Sequence, residues 1–205
     1  MSRSLTNRLL IILIAVELCM VVIYWIDISA GPPRSSLSRL FDLNLEGTVP
    51  AWFSSMQLAF LSAALVTLRS LLVAADGKKY LGLALLASAA LFFSADEMLS
   101  LHERLNEFLI HLQGFPRFKY NNGSWLFIYL PLLAIIATVC GRELMGLRER
   151  HPRPIAFMGI GVALALVGAV ALEIINYQYL FHHRGGFWYL LEVGLEELFE
   201  MLGVS

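Results

Sequence analysis

Two stretches of this 205-residue chain set acids and a histidine among apolar residues. Phe92-Phe93-Ser94-Ala95-Asp96-Glu97-Met98-Leu99-Ser100-Leu101-His102-Glu103-Arg104 runs straight off the end of an apolar segment. Leu191-Glu192-Val193-Gly194-Leu195-Glu196-Glu197-Leu198-Phe199-Glu200-Met201 carries four glutamates inside another. A carboxylate in hydrocarbon is costly unless it is paired, protonated or bound to a cation. Glu192, Glu196 and Glu200 fall at i, i+4 and i+8, a self-repelling stripe on a helix, with Glu197 beside it and no Lys or Arg in the segment.

Three agents can neutralise such acids: protons, the arginines Arg104 and Arg184, or a divalent metal. Carboxylates with one or two imidazoles suit Mn, Fe, Zn or Ca, and facing helices of a bundle are where carboxylate metal sites are built. The candidate ligands are Asp96, Glu97, His102, Glu103, Glu173, Glu196, Glu197 and Glu200. No Glu-x-x-His or His-Glu-x-x-His spacing occurs, so the pattern leaves a metal, a structural ion-pair network and a proton or cation route all open. A metal would activate a bound water or oxygen and make the chain an enzyme acting on a lipid-phase substrate. Without one, the acids lock helices together in an accessory subunit of a larger membrane assembly, or carry protons or cations.

The elements that must position these residues follow from composition. At 58% hydrophobic, 15% charged and mean hydropathy +0.69, the sequence reads as an all-α, polytopic transmembrane helix bundle forming one integral membrane domain over 1–205. A net charge of -1 without a basic stripe argues against a nucleic-acid partner, and the short inner loops favour neither a nucleotide site nor a cytosolic catalytic domain. Cys19 and Cys140 both lie in apolar segments and read as packing residues, not a disulfide.

Six membrane segments are expected, at about 9–26, 50–68, 80–101 with a helical extension to 112, 125–141, 154–177 and 187–205. Ile28 two places before Ala30 is a poor signal-peptidase pattern, so the first is a retained helix. Thr48 and Pro50 open the second, and Pro131 is the expected kink in the fourth. Gly159, Gly161, Ala165 and Gly168 give the fifth a surface for close helix approach. The last, 19 residues, reaches roughly 28 Å as a helix, barely a bilayer thickness.

The N-terminus and the 69–79 and 142–153 loops hold nine Lys and Arg against six in the opposite loops, so both termini are expected on the cytoplasmic side of the plasma (inner) membrane. Aromatic residues at 24–25, 52, 125 and 187–189 then fall at the outer boundary. In that register Asp96 to Glu103, Glu173, and Glu192 to Glu197 share the outer half of the bilayer. On a continuous third helix, Ser100, Glu103 and Glu107 project within about 40° of Asp96, and His102 projects to another flank.

Smaller features are weighed the same way. Glu17, mid-way along the first segment, reads as an interhelical hydrogen-bonding group or an outlying member of the site. Asp42, Asn44 and Glu46 imitate the start of a calcium loop, but the glycine is out of register. His182-His183 reads as an outer-loop pair or a ligand pair.

Trp52-Phe53-Ser54-Ser55 after Glu46-Gly47-Thr48-Val49-Pro50, Asp96-Glu97 through His102-Glu103, and Glu196-Glu197 through Glu200-Met201 together resemble a family of uncharacterised bacterial multi-pass membrane proteins. The resemblance covers most of the chain and implies a membrane fold without a known activity. Ser94 and Asp96 also invite comparison with alkaline-ceramidase-like hydrolases, whose late-helix histidine pair this sequence lacks.

Overall fold

The structure is a computed structural model that describes residues 3–31 and 36–205; Pro32 and Pro33 of the first connection lie outside the described residues. Every described element is helical: α1 Arg3–Ala30, α2 Ser36–Arg39, α3 Val49–Asp76, α4 Leu81–Leu99, α5 Leu101–Ile110, α6 Leu126–Arg150, α7 Pro152–His183 and α8 Phe187–Val204. Helices α1, α3, α4, α6 and α7 are long and apolar enough to cross a membrane. The 18-residue α8 is set apart by its four glutamates.

The long helices overrun their apolar cores. α3 continues to Asp76 because Arg69 only interrupts a run, resumed by Leu71, Leu72, Ala74 and Ala75, of good helix formers, and α6 continues to Arg150 because Arg, Glu, Leu and Met carry it past its apolar core. α6 passes through Pro131. Along α1, α3, α4, α6 and α7, side chains such as Ile11, Phe60, Leu91, Ile135 and Phe157 are exposed, the inverse of a soluble domain and what a lipid solvent accommodates.

The chain forms two compact units, residues 1–54 with 161–205 and residues 55–160. In the first, Met20, Val21 and Tyr24 of α1 pack with Leu43 and with Tyr189, Val193 and Met201 of α8. Backbone approach between α7 and α8 is as tight as helices allow. A Cβ on Gly161 would lie 2.5 Å from the Gly203 carbonyl oxygen, and one on Gly168 would lie 2.7 Å from that of Glu196. Only residues without side chains at those points permit the approach. Gly159, expected on the same surface, faces open space. Glu17 is fully buried and accepts a hydrogen bond from the Ser205 hydroxyl, so it serves as the interhelical contact its position suggested. Asp42 Oδ1 accepts the Asn44 N–H at 3.1 Å, and Asn44 Oδ1 accepts the Tyr189 hydroxyl at 2.7 Å. The would-be calcium loop is a turn that anchors the start of α8.

In the second unit Leu65, Tyr80, Leu83, Ala87 and Leu147 form the core. Ser55 donates to the Ser94 carbonyl at 2.7 Å and Ser62 to the Ala87 carbonyl at 2.7 Å, tying α3 to α4 through hydroxyls. Glu143 of α6 closes the start of α4, its two oxygens accepting the Gly82 and Leu83 N–H groups at 3.0 and 2.9 Å. Those are orphan donors of a helix N-terminus, where a negative charge is favoured. The run from Tyr80 to Leu112 is therefore not one rod: Ser100 adopts φ 50° and ψ 46° and separates α4 from α5.

Candidate functional site

The break at Ser100 creates the first site. In an unbroken helix the six residues from Asp96 to His102 would turn the imidazole about 120° away from the carboxylate. The left-handed Ser100 instead folds His102 back. Asp96 Oδ1 accepts the His102 backbone N–H at 2.8 Å, and Oδ2 lies 3.2 Å from His102 Nδ1. One buried carboxylate thus caps α5 and grips its imidazole, with the side chain of Asp96 buried and that of His102 about a quarter exposed. The Tyr129 hydroxyl stands 3.5 Å from Asp96 Oδ1, too long for a strong bond.

Aromatic rings wall this pair. His102 lies against Trp125 with centroids 5.1 Å apart, and Trp125 meets Tyr129 edge-on at 5.0 Å. Phe92 and Phe93 close the side of Tyr129. Asn106 of α5 accepts the Ser124 N–H at 2.9 Å, which fixes the entry to α6 and so the place of Trp125. His102 and its exposed neighbour Glu103 bring ligand atoms within 4.8 Å of one another. Glu97 is half-buried on α4. Arg104 is exposed and pairs with no carboxylate among the described residues.

Glu173, Glu196, Glu197 and Glu200 belong to the other unit. Glu173 lies on α7 between two π-helical stretches, Val167–Leu172 and Asn176–Leu180, and the other three lie on α8. Glu196 hydrogen-bonds to both Glu173 and Glu192. Asn176 Nδ2 donates to Glu192 Oε2 at 2.9 Å. Arg184 sits over the Phe181 ring at 3.8 Å and is exposed. His182 and His183 are exposed in a 3-10 turn.

Sequence reasoning gave no role to Glu143, Tyr129 or Asn176, read Trp125 only as a membrane-boundary aromatic, and noticed Glu192 without naming it among the candidate ligands. A signal existed for Glu192, which shares the i, i+4 stripe with Glu196. For Glu143 there was none, since an acid among the arginines after Cys140 looks like a solvated helix end.

These features define an all-helical protein whose apolar helices suit a lipid bilayer and which places carboxyl groups within those helices. Residues 9–205 match the family model described as a domain of unknown function, DUF8692, and the chain belongs to that family. No curated protein and no solved structure matches it.

Proposed function

We propose that this is a plasma-membrane protein of six membrane segments, with both termini cytoplasmic, in which His102 and Glu103 hold a divalent cation from the group Mn, Fe, Zn and Ca. The observation that carries the reading is the Asp96–His102 pair. A carboxylate on one ring nitrogen is the usual outer-shell partner of a metal-bound imidazole; it fixes the tautomer that presents the other nitrogen and raises its basicity. Asp96 therefore positions His102 and is not itself a ligand. The donor set of one imidazole and one carboxylate fits these ions. The cation would activate a bound water for attack on a lipid-phase substrate. The chain's own contribution is the aromatic wall of Trp125, Tyr129, Phe92 and Phe93, which gives such a substrate an apolar surface beside the histidine.

Elemental analysis of the purified protein, paired with melting curves before and after chelation, tests the reading. An ion bound only to the folded state stabilises by RT ln(1 + [L]/Kd), about 2.7 kcal/mol at a hundredfold excess over Kd. Chelation should lower Tm, one of the four ions should restore it, and His102→Ala should abolish the difference. Identical melting with and without chelator, and no stoichiometric metal, would leave the accessory-subunit reading. That second reading is favoured by Glu143, a carboxylate given over wholly to helix capping.

A further inference from the structure

The group on α7 and α8 poses a different problem, because its unsatisfied atoms are acceptors. Asn176 is 6% exposed and its Oδ1 has no hydrogen-bond partner; Glu192 is 5% exposed and its Oε1 has none either. An unmet polar atom at such depth is rare and costs roughly 1–3 kcal/mol, so two on adjoining groups call for a missing occupant. The Asn176 amide cannot turn over to remove the problem. Flipping it would place Oδ1 where Nδ2 now donates to Glu192 Oε2, setting oxygen against oxygen.

We propose that Glu192 and Asn176 form a proton-binding site, in which a proton on Glu192 Oε1 is donated to Asn176 Oδ1. The two groups then close a ring of two hydrogen bonds, amide N–H to Oε2 and carboxyl O–H to Oδ1, and both orphan oxygens are satisfied by one added atom. A protonated carboxyl has the single donor that this requires.

The segments that carry the pair supply no cation, and the buried indole N–H of Trp25, also without a partner, lies against Gly194. Neither 155–181 nor 185–205 contains Lys, Arg or His. The titratable groups of the elements packed with the pair include Glu173, Tyr177, Tyr179, His182 and His183 of α7, Tyr189, Glu196, Glu197 and Glu200 of α8, Arg8, Glu17, Cys19, Tyr24 and Asp27 of α1, and Asp42 of the following connection. The basic ones, Arg8, His182 and His183, are exposed, and Arg184, also exposed, lies over the Phe181 ring. Glu196 extends the same chemistry, since each of its links to Glu192 and Glu173 joins two carboxyl groups and so holds a proton of its own. Chains of hydrogen-bonded acids within membrane helices are how protons are stored and relayed there. The π-helical turns that begin at Val167 and Asn176 set Glu173 and Asn176 toward α8, and such turns concentrate at functional sites.

Infrared difference spectroscopy on the full chain in phosphatidylcholine vesicles tests this. At neutral pH the wild type should show the carbonyl stretch of a protonated carboxylic acid that shifts in D2O. Glu192→Gln should remove its largest component, and Asn176→Ala should leave a band at a shifted frequency. His102→Ala should leave the band untouched, which separates this site from the proposed cation site. Absence of the band in wild type, or a band unchanged in both variants, overturns the proposal. So does a band that appears only after chelation, which would mean that a metal cation takes the place of the proton.

Discussion

Changing Asp96 to Asn separates the two jobs of that carboxylate. Asn keeps an oxygen that can accept the His102 N–H now bound at 2.8 Å, so the start of α5 stays capped, with an expected loss of about 0.5–2 kcal/mol. The second job fails. The atom 3.2 Å from His102 Nδ1 becomes an N–H donor, which forces Nδ1 to be an acceptor and moves the ring proton to Nε2. A ring protonated at Nε2 no longer offers that nitrogen to a cation. Loss of such an outer-shell partner typically costs about 10- to 100-fold in metal affinity. Nitrogen NMR of a His-labelled sample should show the tautomer change, and calorimetric titration with Zn or Mn should show the weakened affinity in a protein whose Tm falls by only a few degrees. Unchanged affinity alongside a changed tautomer would refute the positioning argument. An unchanged tautomer would refute the hydrogen bond itself.

Gly203→Ala should destabilise by about 1–3 kcal/mol, because its Cβ would lie 2.6 Å from the Ala165 backbone nitrogen, whereas Gly159→Ala, in open space, should be neutral or gain up to about 1 kcal/mol in thermal unfolding. Glu143→Ala should strip both caps from α4 and lower stability by about 0.5–2 kcal/mol, with amide exchange at Gly82 and Leu83 accelerating before that of the helix interior. In a variant with Cys19 and Cys140 replaced by Ala, a cysteine at Asn122 should react with an impermeant thiol reagent in intact cells; labelling only after lysis would reverse the proposed orientation.

The helical class was legible because apolar runs of membrane length leave no alternative, and Thr48 signals the start of α3 at Val49 by ordinary start chemistry. The break after Leu99 was not. No Pro or Gly stands there, and Ser at positive φ is disfavoured by its own Cβ; it persists because Asp96 caps the helix that follows. That is a tertiary-scale decision made by one side chain, invisible to periodicity. The same blindness put His102 on the wrong flank. The acids are put to different uses: Glu143 and Asp96 cap helices, Glu17 bonds a hydroxyl, and Glu192 sits with an amide. Glu17, Glu143 and Glu192 are the same residue type, so only geometry distinguishes their uses.

The backbone contact between α7 and α8 has a mechanical consequence for the acids it carries. Like-charged helices relieve repulsion by splaying, and bulky side chains at a seam let them do so gradually. Here Gly161, Gly168 and Gly203 place main chain on main chain. Opening the seam by about an ångström forfeits roughly half of its dispersion attraction, with no flexible side chain to bridge the gap. The glutamates are therefore clamped before any occupant arrives. The cost of gathering them is met during folding, so whatever binds there finds its oxygens already in place and loses little affinity to reorganisation.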